Sequence, residues 1–419
     1  MTFTQMNHLI DTHKDELFAL LGNLIRINSE SFGSTGNEQP CAEYVRDLCL
    51  ELGLETTMYS PLDLEGFAEH ADYFPGRNLE NRYNVTGIWK GAEDCNRLML
   101  MAHLDTVEIG NPASWDFPPL SGEIIDGKIC GRGACDDKYA LAAALFIIKL
   151  LKKSGFEPKK NLVFNAYCDE ELGGSHGAMA AVMKDPCQTV VSMDGREQQI
   201  WHCASGGQVV TYRYKVRGTV DNSGITARAL PLVMDLIDTF AQNRLNELEA
   251  NPYYAGTIIP QTSLRYNEIR AGNNDMDKDI GYLCFTFYTD KTKEVIWQEL
   301  EELNKTLTEA LDPLGIDSLG FQGETRFFHY GACDPQSEAI RTLVDVSKEA
   351  ADLDLLVCGS CLSDLSVILK YGAQDSFGFG CGRDFSIPGG AHQPNEFIEC
   401  DALVQYTKAI AAYVLRLVG

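Results

Sequence analysis

The chain predicts an α/β fold interrupted by an inserted α+β module, and three observations carry that prediction. Short apolar strands alternate with amphipathic helices up to about residue 205. The texture then changes to alternating strands and longer helices until about residue 331, after which the first pattern returns. Residues with ligand chemistry lie on both sides of the middle segment, which a simple tandem of two domains would not explain. The expected boundaries are 1–205 for the first part of the main domain, 206–331 for the insert and 332–419 for the second part.

Residues 8–27 carry Leu9, Leu17, Leu20, Leu21, Leu24 and Ile25 at helical spacing, and residues 41–52 repeat that pattern. Residues 84–90 and 97–102 are short β-type runs. A helix over 141–153 is stopped by Ser154-Gly155 ahead of another strand, 161–168. Within the insert, 208–216 alternates as a strand with one exposed face, 231–248 is helical, 282–288 extended and 294–311 an amphipathic helix. Beyond it, 337–351 is helical, 355–358 extended, 363–371 helical, and 402–417 forms a closing helix.

Composition narrows the function. Sixty acidic side chains against 35 basic ones give a net charge of −25 over 419 residues, with no cluster of Lys and Arg to offset it, so nucleic acid and anionic membranes are not expected partners. The apolar stretch 141–151 is broken by Lys149 and is too short for a bilayer, and Met1-Thr-Phe-Thr-Gln5 lacks the regions of a signal peptide. A soluble, cytoplasmic protein is expected. Its 14 cysteines are too sparse for a disulfide scaffold, and the Cys358/Cys361 pair has no second pair at zinc-site distance.

Five stretches place metal-ligand residue types at strand ends or in Gly-rich turns. In Leu98-Met-Leu-Met-Ala-His-Leu-Asp105, an apolar strand runs into His103 and Asp105, two apart and so on one side of an extended chain. Either His103 binds a metal while Asp105 bonds its other ring nitrogen, or this is a polar strand end. In Gly131-Arg-Gly-Ala-Cys-Asp-Asp-Lys138, Asp136 is placed to bridge two cations or, with Asp137, to cap the following helix. Cys168-Asp-Glu-Glu-Leu-Gly-Gly-Ser175 sets three carboxylates in a row, which need cations or protons if buried and are a solvated loop if not. Adjacent side chains diverge, which gives Glu170 and Glu171 separate tasks, one on a proton and one on a metal. Val190-Val-Ser-Met-Asp-Gly195 and Pro388-Gly-Gly-Ala-His-Gln-Pro-Asn-Glu396 add Asp194 and His392. Together the five supply two imidazoles and three ligand carboxylates, a set suited to two zinc-like ions.

In order and wording, these motifs resemble the M20 family of zinc peptidases and amidohydrolases, among them aminoacylases, tripeptidases, carnosinase-like dipeptidases, and acetylornithine and succinyl-diaminopimelate deacylases. The resemblance implies a zinc-peptidase-like catalytic domain, its mixed sheet flanked by helices, interrupted by a lid and dimerisation domain. It implies one metal on His103, Asp136 and Asp194 and another on Asp136, Glu171 and His392, with Glu170 as general base and acid, Asp105 as partner of His103, and a cis peptide between Asp136 and Asp137. The implied cofactors are two divalent ions, zinc or, in so carboxylate-rich a site, manganese or cobalt. A hydroxide bridging them would attack an amide carbonyl while Glu170 carries the proton to the leaving amine. Asp194 stands where acylases and carboxypeptidases typically have Glu, so the expected substrate is a small peptide with a free amino end. The alternative is an N-deacylase of acylated amino acids, and a third reading is a metal- and peptide-binding protein whose catalysis has lapsed, against which Glu170 speaks. A homodimer through the inserted domain is expected.

The insert departs from the family. Val216-Arg-Gly-Thr-Val-Asp-Asn-Ser223 puts Asn222 where the family's lid His stands, and Asn donates a hydrogen bond without adding charge. The lid's Asp-x-Arg has no clear match near Thr286-Phe-Tyr-Thr-Asp-Lys291, which leaves Arg270, with Asn273 and Asn274, for substrate binding. Ser363 and Asp364 resemble the family's Gly-x-Ser-Asp turn beside the substrate, and Arg383 with Gly389-Gly390 is assigned to the same cleft, ordinary capping and turns being the alternative. His8, His13, His70, His202 and His329 lack ligand-type neighbours, and His176 reads as a turn or helix-start residue.

Overall fold

The structure is a computed structural model describing residues 1–218, 222–254, 263–271 and 279–419, the side chains of Asn222, Ser223 and Ala271 excepted. Two compact units make up the chain. One comprises Met1–Cys203, Ala332–Cys358 and Val367–Gly419; the other comprises Ala204–Gly331 and Gly359–Ser366.

The first unit is built on a mixed sheet running Gln199–Ala204, Asp375–Gly380, Thr189–Ser192, Glu93–His103, Lys160–Tyr167, Asn84–Trp89 and Glu55–Tyr59. The strands from Asp375–Gly380 to Lys160–Tyr167 are parallel, and those outside them pair antiparallel. Leu98 to Ala102 are all fully buried, which explains the unbroken apolar run: a central parallel strand is covered on both faces. Leu98, Leu100 and Ala102 join the main core with the helices Phe3–Arg26, Lys138–Lys153 and Cys400–Val418. Thirteen of the 16 residues of Lys138–Lys153 are buried, so that helix is core almost all round. The first helix starts at Phe3, earlier than its apolar periodicity indicates, because Thr2 and Gln5 form a reciprocal capping box.

In the second unit an antiparallel sheet runs Leu264–Ala271, Ile280–Thr289, Gly206–Val216, Ile316–Gly323. Val210, Tyr212, Leu283 and Phe285 pack against Val233, Ile237, Ile296 and Leu300 of two long helices. The first of these spans Asn222–Ala250 and contains Pro231, which the sequence places at the helix start. The Tyr214 hydroxyl donates to the Thr226 carbonyl at 2.7 Å, tying the turn before that proline to the sheet. No helix among the described residues is long and apolar enough to cross a membrane.

Candidate metal centre

The parallel strands deliver their carboxyl ends to one edge of the sheet, the place where open α/β sheets gather ligand groups. His103 closes Glu93–His103, and Asp169 to Glu171 follow Lys160–Tyr167. Asp194 follows Thr189–Ser192. Register levels these ends, since His103 pairs with Tyr167 and Met101 with Ser192. Met193 N donates to Met101 O at 2.8 Å, so pairing continues one residue further and Asp194 leaves the sheet alongside His103.

Asp136 comes from the turn ahead of Lys138–Lys153, and the peptide bond between Asp136 and Asp137 is cis. Asp137 stands at the helix N-cap but makes no side-chain cap bond. It is fully buried, and its Oδ2 takes the His103 N–H at 3.4 Å. The Asp136 carboxylate lies between two imidazoles: Nε2 of His103 is 3.0 Å from Oδ1, and Nε2 of His392 is 3.2 Å from Oδ2. His392 Nε2 is also 2.8 Å from Glu171 Oε2. Ligand atoms of His103, Asp136 and Glu171 all lie within 4.8 Å of one another. A carboxylate presenting one oxygen to each of two imidazoles is the donor arrangement of a group shared by two cations, so these residues fit divalent ions of the zinc type. The electrostatics agree. Burial alone would lower the pKa of His392, yet the Glu171 and Asp136 carboxylates push it up to about 11. The field that holds that proton also attracts a metal ion.

Asp105 differs from the expectation. His103 Nδ1 meets the Asp105 backbone carbonyl at 2.9 Å, whereas the carboxylate Oδ1 is 3.7 Å away. The carboxylate instead accepts the N–H groups of Glu170 and Glu171, each at 3.2 Å, and the Ser31 hydroxyl at 2.8 Å. A carbonyl only accepts, so Nδ1 donates a proton to it, which leaves Nε2 as the nitrogen that faces Asp136. The main chain orients the imidazole, and the carboxylate shapes the Glu170-Glu171 turn.

The three-carboxylate run is divided by the fold. Asp169 turns inward, with Arg82 Nη1 at 2.6 Å and Arg77 Nε at 2.8 Å from Oδ1, and His176 Nδ1 at 2.6 Å from Oδ2. Burial by itself would raise its pKa, but Arg82, His176 and Arg77 hold it well below the usual carboxylate range. Arg82 also pairs with Glu38 and donates to Ser31 Oγ at 2.8 Å, reaching Asp105 through one hydroxyl. Asp169 is thus neutralised by protein cations, which leaves only Glu170 and Glu171 of the run for the site. Spacing in the sequence does not single out Arg77, Arg82, Glu38 or Ser31; His176 does start a helix, as the buried first residue of His176–Lys184, but its pairing with Asp169 is not legible there. The one signal available was a pair of arginines just ahead of the apolar strand at Asn84. Arg132 and Glu396 were missed as well. Arg132 Nη1 bonds Glu396 Oε2 at 2.5 Å and its Nη2 reaches the His392 carbonyl at 3.4 Å, while Glu396 Oε1 accepts Cys135 N–H at 2.9 Å. The pair ties the His392 loop to the Asp136 turn.

Ser363 and Asp364 belong to the second unit, where Arg326 Nη2 lies 4.0 Å from Asp364 Oδ1 and donates to Ser366 Oγ at 2.7 Å. Arg270, also in that unit, is bonded by Glu268 at 2.6 and 2.7 Å and lies over the Tyr282 ring. The Arg383 guanidinium stacks on Phe397 at 4.0 Å. Asn274 lies outside the described residues, as do Asn273 and the side chain of Asn222.

Comparisons with known proteins bear on this geometry. The model of peptidase family M20/M25/M40 matches residues 99–416. The N-formyl-4-amino-5-aminomethyl-2-methylpyrimidine deformylase of Halalkalibacterium halodurans is 25% identical over 444 residues, covering 97% of this chain and 95% of that protein. A solved dipeptidase of Saccharomyces cerevisiae superposes with a TM-score of 0.74 at 16% identity, over 99% of this chain and 98% of that one. A dinuclear metal-binding M20 peptidase of Bacillus subtilis does so with a TM-score of 0.60 at 14% identity, over 97% and 99%.

Proposed function

This chain belongs to peptidase family M20/M25/M40 and is a hydrolase of the peptidase and amidohydrolase type, and on that premise we propose that it cleaves the amide bond of a small peptide with a free amino end, with two divalent metal ions as cofactors. The observation that carries the reading is the Asp136 carboxylate standing between the imidazoles of His103 and His392, with Glu171 against His392. His103, Asp136 and Asp194 would hold one ion and Asp136, Glu171 and His392 the other; zinc suits this set, with manganese or cobalt as alternatives. Ions bound there supply Lewis acidity, which polarises the scissile carbonyl and makes water acidic near neutral pH.

The chain's own groups do the rest. Glu170 takes the proton of the attacking water and returns it to the leaving amine, and its backbone bond to Asp105 fixes where its side chain starts. Asp105 thereby acts on the proton carrier through the main chain. Asp194, in place of a Glu, supports the peptidase reading, and an acidic site favours an ammonium end. Arg270, Asn222, Asn274, Ser363, Asp364 and Arg383 as substrate contacts, a homodimer through the second unit, and a cytoplasmic location complete the reading. The second reading, an N-deacylase, is supported by the deformylase relative that spans nearly the whole chain.

The test is product detection by mass spectrometry after incubating zinc- or manganese-loaded protein with matched dipeptides and with N-formyl, N-acetyl and N-succinyl amino acids. Turnover of the dipeptides is expected. Turnover of the acylated set alone moves the function to the deacylases, and none at all by protein holding two ions per chain favours lapsed catalysis. Metal removal gives an independent check. Ligand that binds only the folded state adds about 4 kcal/mol at a thousandfold excess over Kd, so dialysis against a chelator is expected to lower the thermal midpoint by several degrees and zinc to restore it. A midpoint indifferent to both would count against a metal at the cluster.

A further inference from the structure

Three main-chain groups converge beside Asp194, namely the carbonyls of Met193 and Gly195 and the N–H of Cys381. One atom meets them all. Tyr139 Oη donates toward Met193 O at 2.8 Å and Gly195 O at 3.1 Å, and it accepts Cys381 N–H at 3.0 Å. A phenol has a single proton, so that donation is shared between the two carbonyls, which pins the oxygen between them.

Tyr139 is fully buried and is the second residue of Lys138–Lys153, three positions after Asp136. Its hydroxyl therefore couples the helix that begins behind one ligand carboxylate to the main chain on both sides of another. The surrounding backbone leaves room for this contact. A Cβ on Gly380 would fall 2.4 Å from Tyr139 Oη, so that glycine admits the phenol, and a Cβ on Gly195 would fall 2.7 Å from Gly380 N, so Gly195 lets the two main chains approach beside it. Tyr406, equally buried, packs edge-on against Tyr139 at 5.5 Å; its hydroxyl lies 2.8 Å from Phe379 O and 3.5 Å from Met193 O, so its hold on Met193 is the weaker of the two phenols'.

We propose that Tyr139 is a positioning residue: through the two carbonyls that flank Asp194 it sets the place of that carboxylate relative to Asp136, and so the affinity for the divalent ion that these two and His103 would share. This rests on the metal reading above, and the experiment separates the two. Residues that orient a ligand typically change metal affinity about 10–100-fold when altered. In the full chain, competition for zinc against a chelating dye should show that Tyr139→Phe weakens one of two sites by that factor and leaves the other unchanged. Asp194→Asn should weaken the same site.

If Asp194→Asn keeps both sites at wild-type affinity, the metal reading of Asp194 fails and this proposal falls with it. If Asp194→Asn weakens one site while Tyr139→Phe weakens neither, the positioning role alone is wrong. Tyr406→Phe removes a comparably buried hydroxyl next door; it is expected to lower thermal stability without weakening either zinc site. A loss at the same site as large as that of Tyr139→Phe would mean general loosening and overturn the proposal. Should Tyr139→Phe not fold, Tyr139→Met, which keeps bulk without a hydroxyl, carries the same measurement.

Discussion

Glu170→Gln is expected to retain both metal ions and the wild-type fold while losing about 10²–10⁴-fold in kcat, the usual worth of a general acid–base group. The main chain of Glu170 is held by its N–H bond to the Asp105 carboxylate, and the Glu171 N–H is held by the same group, so neither depends on the substituted side chain. The cluster of His103, Asp136 and Glu171 with His392 is left as it was. What disappears is a group that accepts a proton from water and passes it on, because a carboxamide does neither at neutral pH. Metal content, a denaturation curve and kcat with KM on whichever substrate class is turned over make the measurement complete. A variant as fast as the wild type would remove Glu170 from its role, and one that had lost a metal would place its side chain among the ligands.

The largest effect on stability is expected from Arg82→Met. Arg82 is fully buried, 2.6 Å from Asp169, paired with Glu38, and 3.7 Å from Asp105. Removing one partner of a buried ion pair costs about 3–5 kcal/mol: the buried Glu38 loses the cation it is bonded to, and Asp169 keeps only Arg77 and His176. Burial and the Asp105 carboxylate already push Glu38 up to about 7 against the pull of Arg82. Loss of the guanidinium makes that worse and also releases Ser31 Oγ, one of the donors to Asp105. Urea unfolding of the variant should show the loss. An unchanged midpoint would mean that something other than Arg82 neutralises these groups.

Asp169→Asn probes the same network from the other side and fixes the sign of its pH dependence. The pKa of Asp169 is depressed in the folded state, so its stabilisation is complete above the unfolded value of about 3.9 and is lost as pH falls through the lower folded value. The gap in unfolding free energy between wild type and Asp169→Asn should be full near neutrality and shrink in acid. A gap that widens in acid would contradict the ion pairing.

Much of the first unit was legible because its signals are local. The run Leu98-Met-Leu-Met-Ala102 announces a strand covered on both faces, and the polar residues that end it stand where an apolar strand meets solvent or a ligand. His103, Asp136, Glu171 and His392 were recognisable as ligand types before their distances were known. The start of the long helix of the second unit was not legible, since Pro231 reads as a first residue and only the packing shows helix before it. Nor was the work of Asp105: spacing places it beside His103, and nothing local shows that its carboxylate turns to two N–H groups more than 60 residues away.

By itself the sequence determined the first unit's helices over 8–27, 41–52, 141–153, 337–351 and 402–417, its strands over 84–90, 97–102 and 161–168, and which side chains with metal chemistry stand at strand ends, because periodicity and the polarity of strand ends are properties of neighbours in the chain; the strands Glu55–Tyr59, Gln199–Ala204 and Asp375–Gly380 emerged only in the structure. The tertiary structure decided how those side chains divide their tasks. Arg77 and Asp169 are 92 residues apart and Tyr139 and Met193 are 54 apart, yet these contacts send one carboxylate inward and tie down the main chain beside another. A buried charge or hydroxyl takes whichever partner packing brings within about 3 Å, and that choice depends on strand order and register.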